Sequence, residues 1–186
     1  CVVPTGPLHY VPFHAFLTPT GQFMTERYVV SYAPSASALV YALQRPARAR
    51  SPAAANEVLV VAEPVPHQDY GALPGALIEG QRVRQLATAS SILLQGRQAT
   101  ESRVLTGLET ARYFHFAGHT DLPPGRPMRA ALLCTQDVDR DGRLEVRELF
   151  ELDLKACELA VLSACETRLG HWSRGDEIVG LERAFL

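Results

Sequence analysis

Two short apolar segments of the chain each end in a side chain that can take part in nucleophilic chemistry. The segment YFHFAGH, residues 113–119, ends at His119, and the segment LAVLSAC, residues 159–165, ends at Cys165. A cysteine becomes a strong nucleophile when a neighbouring imidazole takes up its proton, as in covalent acyl transfer. The two residues therefore suggest a Cys–His dyad, provided that the fold brings them together.

Both segments have the length and composition of strands in a parallel sheet. Residues 159–164 form an apolar run with no polar alternation, which is typical of a strand buried on both faces, and residues 113–117 are rich in aromatic side chains. Open parallel sheets bind ligands outside the carboxyl ends of their strands. If the two strands are neighbours, His119 and Cys165 lie at the same edge.

Strand and helix patterns alternate before these segments. Apolar strands are predicted over residues 57–62 and 91–94, and amphipathic helices are predicted over residues 77–87 and from Thr100 onwards. This alternation favours an α/β fold with a mostly parallel sheet flanked by helices and right-handed crossovers.

The first quarter of the chain has a different character. Residues 1–16 predict a β-hairpin around a Pro-Thr-Gly-Pro turn, and residues 35–44 predict a helix that begins at a serine cap. The Pro-, Arg- and Ala-rich residues 46–56 predict a linker. We therefore expect one domain over residues 1–186, with a hairpin and helix part over 1–45 and a core carrying the dyad over 57–186.

Composition narrows the class of protein. The chain has 186 residues, 47% hydrophobic and 20% charged, with a net charge of −2, which is ordinary for a folded domain. The absence of a Lys/Arg cluster argues against nucleic-acid binding. No apolar run approaches the roughly 20 residues of a membrane span, and no leader peptide opens the chain. We expect a cytoplasmic protein without membrane contact, and both chain ends resemble cuts within something larger.

The other cysteines and histidines are weaker candidates for chemistry. Cys1, Cys134 and Cys157 show no CxxC spacing and do not follow a strand as Cys165 does, so we expect reduced thiols. His115 and His119 are roughly 13 Å apart along a strand at about 3.3 Å per residue. One zinc ion could not bind both, and we expect His115 to be a packed strand residue and the site to need no cofactor.

An acidic loop leaves an alternative open. Asp137, Asp139, Asp141 and Glu148 occupy positions 1, 3, 5 and 12 of a calcium-loop pattern, with Gly142 at the sharp turn. An EF-hand needs a helix on each side, however, and residues 129–135 predict a strand. The alternative is a hairpin turn joining two strands, with Glu145 and Glu148 solvated.

Several motifs together resemble the CHAT domain, a caspase-like and separase-like cysteine peptidase family found mostly in prokaryotes. They are VVPTGPLHYVPFHAF, SYAPSASAL, LPGALIEGQRVRQL, YFHFAGH, VLSACETRLG and GDEIVGLERAFL, and they extend over nearly all of the chain. The resemblance implies a caspase-like fold. It also implies that His119 is the catalytic histidine and Cys165 the nucleophile of a cysteine endopeptidase that cleaves a protein substrate through an acyl-enzyme.

The resemblance carries further expectations. Backbone N–H groups of Cys165 and of the loop from Gly118 to Thr120 would hold the oxyanion. Thr120 stands where the family often has glycine, so it would be strained if that position needs a positive φ. A regulatory domain such as tetratricopeptide repeats is expected in the parent chain. The family usually continues past Leu186 into a region that helps build the specificity pocket. The rival hypothesis is a catalytically silent interaction module, and a calcium-gated peptidase is a third.

Overall fold

The computed structural model describes the chain except for residues 6–7, 9–10, 34, 45–55, 66–69, 88–89, 165–180, 182–183 and 186. The strands are β1 (Asn56–Pro64), β2 (Ile92–Gly96), β3 (Ala111–Ala117), β4 (Thr120–Asp121), β5 (Ala131–Leu133), β6 (Arg143–Glu145) and β7 (Leu159–Ser163). The α-helices are α1 (Met24–Arg27), α2 (Ala36–Gln44), α3 (Pro74–Leu86), α4 (Glu101–Leu108) and α5 (Val146–Leu149), with 3-10 turns at Phe13–Ala15, Pro127–Arg129 and Leu154–Ala156.

The central feature is a parallel sheet in the order β2-β1-β3-β7. Its inner strand β1 is apolar on both faces, and Leu59, Val60, Val61 and Ala62 are all inaccessible to solvent. A strand can be apolar throughout only when helices cover both sides of the sheet. The mostly parallel α/β fold predicted from the alternating patterns is therefore confirmed.

Helices α3 and α4 pack on opposite faces of β1. A Cβ placed on Gly80 of α3 would meet Ala62 and Val60, whereas one placed on Gly107 of α4 would meet Leu59. Because alternate strand residues point to opposite faces, the two helices cover the two sides of the sheet. Both glycines mark a close approach of helix to strand.

A second sheet follows β3 directly. Strands β4, β5 and β6 pair antiparallel, with Thr120 opposite Leu132 and Leu132 opposite Leu144. Leu132 and Leu144 are fully buried and belong to the same core cluster as Phe114 and Phe116 of the parallel sheet. This shared core fixes the small sheet relative to the end of β3.

The described part of residues 1–16 differs from the predicted hairpin, and Gly6 and Pro7 of the predicted turn lie outside the described residues. Val2 forms a parallel bridge with Tyr32, and the expected second arm contains a 3-10 turn at Phe13–Ala15. The turn is stabilised by ring contacts of Phe13 with Phe16 and Tyr32, and by a 2.9 Å hydrogen bond between His14 Nδ1 and the Tyr32 hydroxyl. These local contacts override the strand tendency of the sequence.

The helix predicted after residue 35 is present as α2, and the Ser35 hydroxyl accepts the Ala38 N–H at 3.1 Å. Most of the linker predicted over residues 46–56 lies outside the described residues. In the part of the chain that is described, no helix combines the length and hydrophobicity needed to cross a bilayer.

Candidate active site

His119 lies just beyond the carboxyl end of β3 and is only 5% exposed. It is preceded by Gly118, where a Cβ would lie 2.9 Å from the Phe116 ring and 3.0 Å from Pro64. Contacts that close do not occur at ordinary side chains, so only glycine lets the ends of β1 and β3 come together here. The backbone therefore carries His119 directly from a buried strand into the edge of the sheet.

The hydrogen bond of His119 fixes the tautomer of its ring. Its Nε2 lies 2.7 Å from the carbonyl oxygen of Gly71, and a carbonyl can only accept a hydrogen bond. Nε2 therefore carries the proton, and in the neutral ring Nδ1 carries the free lone pair. Nδ1 is buried and has no hydrogen-bond partner among the described residues. Tyr70 packs its ring 5.1 Å from the imidazole.

Strand β7 runs beside β3 up to the carboxyl end of β3. Ala117 is paired with Ser163, and the Gly118 N–H donates to the Ser163 carbonyl at 3.3 Å. This confirms that the two strands are neighbours and parallel. Residues 165–180, which follow Ala164, lie outside the described residues, and the predicted nucleophile Cys165 is the first of them.

A polar cluster that the sequence analysis did not find lies beneath this edge. Glu79 of α3 bonds through Oε1 to His115 Nε2 at 2.9 Å and accepts the Ser163 hydroxyl through Oε2 at 3.1 Å. His115 is thus a packed strand residue, as predicted, but a carboxylate hydrogen-bonds to its ring. The cluster ties α3 to β3 and β7 together, the two strands that lead to residues 119 and 165.

The sequence held a partial signal for this cluster. Glu79 stands next to the close-packed Gly80 and lies on the helix between Ala76 and Val83, which are spaced to share one face. A carboxylate on the sheet-facing side of a helix needs a partner. Which strand would supply that partner depends on the register of helix against sheet.

The backbone donors proposed for an oxyanion differ in their availability. Thr120 lies in β4 and does not have a positive φ, so its β-branched side chain causes no backbone strain at this position. Gly118 donates its N–H to Ser163 and is therefore removed from the candidate donors. The third candidate, the N–H of Cys165, belongs to the undescribed part of the chain.

The acidic loop is a hairpin between β5 and β6, and three of its four candidate ligand side chains already accept hydrogen bonds. Asp137 accepts the N–H groups of Asp139 and Arg140 through Oδ1 and of Ser102 through Oδ2, each at 3.1 Å. Arg140 places Nη1 2.7 Å from Glu148 and 3.1 Å from Glu101. The guanidinium therefore sits against the carboxylate that a calcium ion would require.

Buried carboxylates hold this hairpin together. Glu101 is 1% exposed and accepts the Gly142 N–H at 2.8 Å. Burial raises its pKa, and the hydrogen bond from Arg140 opposes that effect. The prediction of a solvated Glu145 is wrong, because it is 2% exposed and bonds to Arg129 and Arg147. Strands on both sides of the loop fit the hairpin alternative and not an EF-hand.

Most of the carboxylates that a calcium ion would need at this hairpin accept hydrogen bonds from the chain itself. Within the described residues, no group of three or more His, Cys, Asp and Glu side chains is arranged to hold a metal. Four of the ligand positions expected from the pattern are oxygens of Asp137, Asp139, Asp141 and Glu148, and three of these side chains accept hydrogen bonds from the chain itself. These hydrogen bonds give the acidic side chains a role in holding the hairpin together.

The described cysteines do not compete for the role of nucleophile. Cys134 is 1% exposed, and burial raises the pKa of its thiol far above the usual range, an effect to which the negative charge of Glu101 adds. A thiol that stays protonated is a poor nucleophile. Cys157 precedes the amino end of β7, at the edge of the sheet opposite His119, and Cys1 is exposed; the thiol of each contacts a nearby backbone carbonyl.

Comparison with known proteins fits this architecture. A search of curated proteins found no match to this chain. The family model of the CHAT domain, in contrast, matches residues 1–186, which is the whole chain. The parallel sheet flanked by helices is the caspase-like arrangement that the family resemblance implied, and the chain belongs to the CHAT domain family.

Proposed function

We propose that this protein is a cysteine endopeptidase in which His119 activates Cys165 for attack on a peptide bond of a protein substrate. The observation that carries the proposal is the state of the His119 ring. Its Nε2–H is held by the Gly71 carbonyl, and its Nδ1 is buried without a partner among the described residues. A buried nitrogen that lacks a hydrogen bond lowers the stability of the fold. Such nitrogens are therefore retained chiefly where they serve a function.

The position of β7 supports a thiol as the partner of that nitrogen. Parallel strands lie about 4.8 Å apart, and β3 and β7 are in register up to Ala117 and Ser163. His119 and Cys165 are each the second residue after this pair. Cys165 follows the described Ala164 by one peptide unit, or about 3.8 Å between Cα atoms. Ser163 is hydrogen-bonded to Gly118, the residue before His119, and the thiol is carried two residues after Ser163.

The reaction follows from these groups. Nδ1 of His119 takes the proton of the Cys165 thiol, and the sulfur forms a bond to the substrate carbonyl carbon. The tetrahedral intermediate collapses as the C–N bond breaks, and the imidazolium returns its proton to the leaving amine. Water, deprotonated by the same nitrogen, then hydrolyses the thioester. The N–H groups of Cys165 and Thr120 are the proposed donors to the oxyanion.

Cleavage of a peptide library by the full chain tests this proposal. Cys165→Ala and His119→Ala should each reduce cleavage by at least about 10³-fold, whereas the buried-thiol control Cys134→Ala should retain activity if it remains folded. Cleavage by the Cys165→Ala protein at the wild-type rate would falsify the assignment of the nucleophile.

Alkylation by iodoacetamide separates the peptidase from a silent interaction module. Fast, stoichiometric labelling of Cys165 that slows in His119→Ala supports an activated thiolate. Slow labelling that does not depend on His119 would favour the interaction module and would overturn the catalytic proposal.

A further inference from the structure

Glu63 has an unusual backbone conformation near the end of β1. Its φ is +44°, which makes it the one non-glycine residue with a left-handed φ among those described. Glutamate pays a steric penalty there that glycine would avoid. Such conformations persist only where the surroundings impose them, and they cluster at functional sites.

The strain coincides with a break in the sheet. Pairing of β1 with β2 runs through Ala62 and resumes at Pro64, and it skips Glu63. Residues at such bulges re-aim their side chains relative to the sheet. Here the carboxylate of Glu63 is turned onto the turn that precedes α3, where Oε1 accepts the Leu73 N–H at 2.9 Å.

The same turn holds His119. Gly71, two residues before Leu73, supplies the carbonyl that accepts the His119 Nε2–H at 2.7 Å. Gly71 is exposed, and a Cβ at its position would meet no heavy atom within 4 Å, so side-chain packing does not hold its carbonyl in place. The hydrogen bond from Leu73 to Glu63 ties this turn to the sheet.

We propose that Glu63 is a positioning residue for His119, acting through the turn at residues 71–73; the catalytic meaning of this role rests on the proposed dyad. With the turn in place, Nε2 keeps its proton and Nδ1 keeps the lone pair. Without the tie, the Gly71 carbonyl moves away from the ring, and the Nδ1–H tautomer, which has no lone pair at Nδ1 to accept the thiol proton, becomes populated. The strained left-handed backbone of Glu63 directs its carboxylate toward the Leu73 N–H.

The experiment compares three substitutions at Glu63 in the full chain. Glu63→Gln keeps an oxygen acceptor for Leu73, Glu63→Ala removes it, and Glu63→Gly removes it while relieving the strained φ. The control is Glu109→Ala, which changes an exposed glutamate at the end of α4. The tautomer of His119 is read from its imidazole ¹⁵N chemical shifts in a Cys165→Ala background, and stability is read from thermal unfolding.

We expect the Nε2–H tautomer in the parent protein, in Glu63→Gln and in Glu109→Ala, and a mixture of tautomers in Glu63→Ala and Glu63→Gly. Glu63→Gly should unfold at a temperature no lower than Glu63→Ala, which separates the loss of positioning from a loss of fold. In proteins that retain Cys165, kcat should fall about 10- to 100-fold in Glu63→Ala and Glu63→Gly, with KM unchanged.

Two results would overturn different claims. An unaltered Nε2–H tautomer in a folded Glu63→Gly protein refutes the positioning role. A changed tautomer with no dependence of cleavage on Cys165 or His119 supports the positioning role and refutes the peptidase instead.

Discussion

At the scale of single residues, small local choices set the position of the imidazole. Gly118 allows β1 and β3 to converge, Gly71 offers a carbonyl, and Glu63 accepts a strained backbone to tie that carbonyl to the sheet. Each of these residues acts on His119 from a different strand or turn. The ring is consequently held in one tautomer by a backbone carbonyl, and no side-chain carboxylate of the described residues hydrogen-bonds to it.

Gly118→Ala tests the steric part of this arrangement. The added methyl group would lie within about 3 Å of Phe116 and Pro64, both of which are buried, and overpacking of this kind costs about 2 kcal/mol. We expect a lower midpoint of denaturant unfolding and slower peptide cleavage, because relief of the clash moves His119.

The control for that experiment is Gly75→Ala in α3. A Cβ there meets no heavy atom within 4 Å, and alanine is the better helix former, so stability should be unchanged or slightly higher. Equal unfolding midpoints for Gly118→Ala and the wild type would show that the strand ends are not closely packed.

At the scale of elements, the β5–β6 hairpin supplies hydrogen-bond acceptors for the first N–H groups of helix α4. Thr100, the predicted cap of α4, makes no side-chain capping hydrogen bond to the helix. The Ser102 N–H is accepted instead by Asp137 of the β5–β6 hairpin, and the Glu101 N–H by the Thr135 carbonyl. The acidic loop therefore has a clear structural purpose, which is to cap a helix of the main core.

Asp137→Asn tests this capping through its dependence on pH. Burial alone would raise the pKa of Asp137, but hydrogen bonds from Ser102 and Asp139 outweigh it and lower the pKa below the ordinary 3.8. The stabilisation is therefore complete above pH 3.8 and is lost as the pH falls through the lowered pKa. Asp137→Asn replaces one of the two accepting oxygens by an NH2 group and should cost about 1 kcal/mol at neutral pH and progressively less in acid.

Denaturant unfolding over a series of pH values measures this difference. Asp139→Asn is the matched control, because it removes the same charge from an exposed residue of the same loop. If both variants lose the same free energy of unfolding at neutral pH, Asp137 does not act as a cap.

Calcium titration tests whether the hairpin is also a metal site. Because Arg140 contacts Glu148 and Asp137 is engaged with backbone N–H groups, we expect no heat beyond dilution in calorimetry and no shift in the thermal unfolding temperature. Saturable heat that disappears in Glu148→Gln would contradict this expectation and restore the calcium-loop hypothesis.

At the scale of the whole molecule, the sequence predicted what depends on local patterns. Apolar runs identified β1, β3 and β7, and the rule for parallel sheets correctly made β3 and β7 neighbours. It could not predict the contacts of Glu63 with Leu73 or of Glu79 with Ser163, because these depend on where a helix lands on a sheet. It also misjudged the described residues 13–16, where contacts between aromatic rings decide the conformation.

The path of the chain beyond β7 gives a prediction at this largest scale. The chain leaves the sheet at Ala164 and is again in the core at Leu181, which is 5% exposed and belongs to the main hydrophobic cluster, as does the nearby Ala184. Phe185 stacks on Phe114 of β3 at 5.6 Å. The segment that contains Cys165 is thus anchored to the same core at both ends.

Leu181→Ala should weaken the second anchor. Truncating a buried leucine costs about 3 kcal/mol, whereas the control Leu86→Ala, at a position 89% exposed, should cost little. Denaturant unfolding measures both. Under conditions where Leu181→Ala stays folded, we also expect slower alkylation of Cys165, because a thiol reacts quickly only while it is held against the imidazole that deprotonates it. Unfolding midpoints that match those of Leu86→Ala would contradict the anchoring. A large loss of stability with an unchanged rate of alkylation would mean that β7 alone is sufficient to position the thiol.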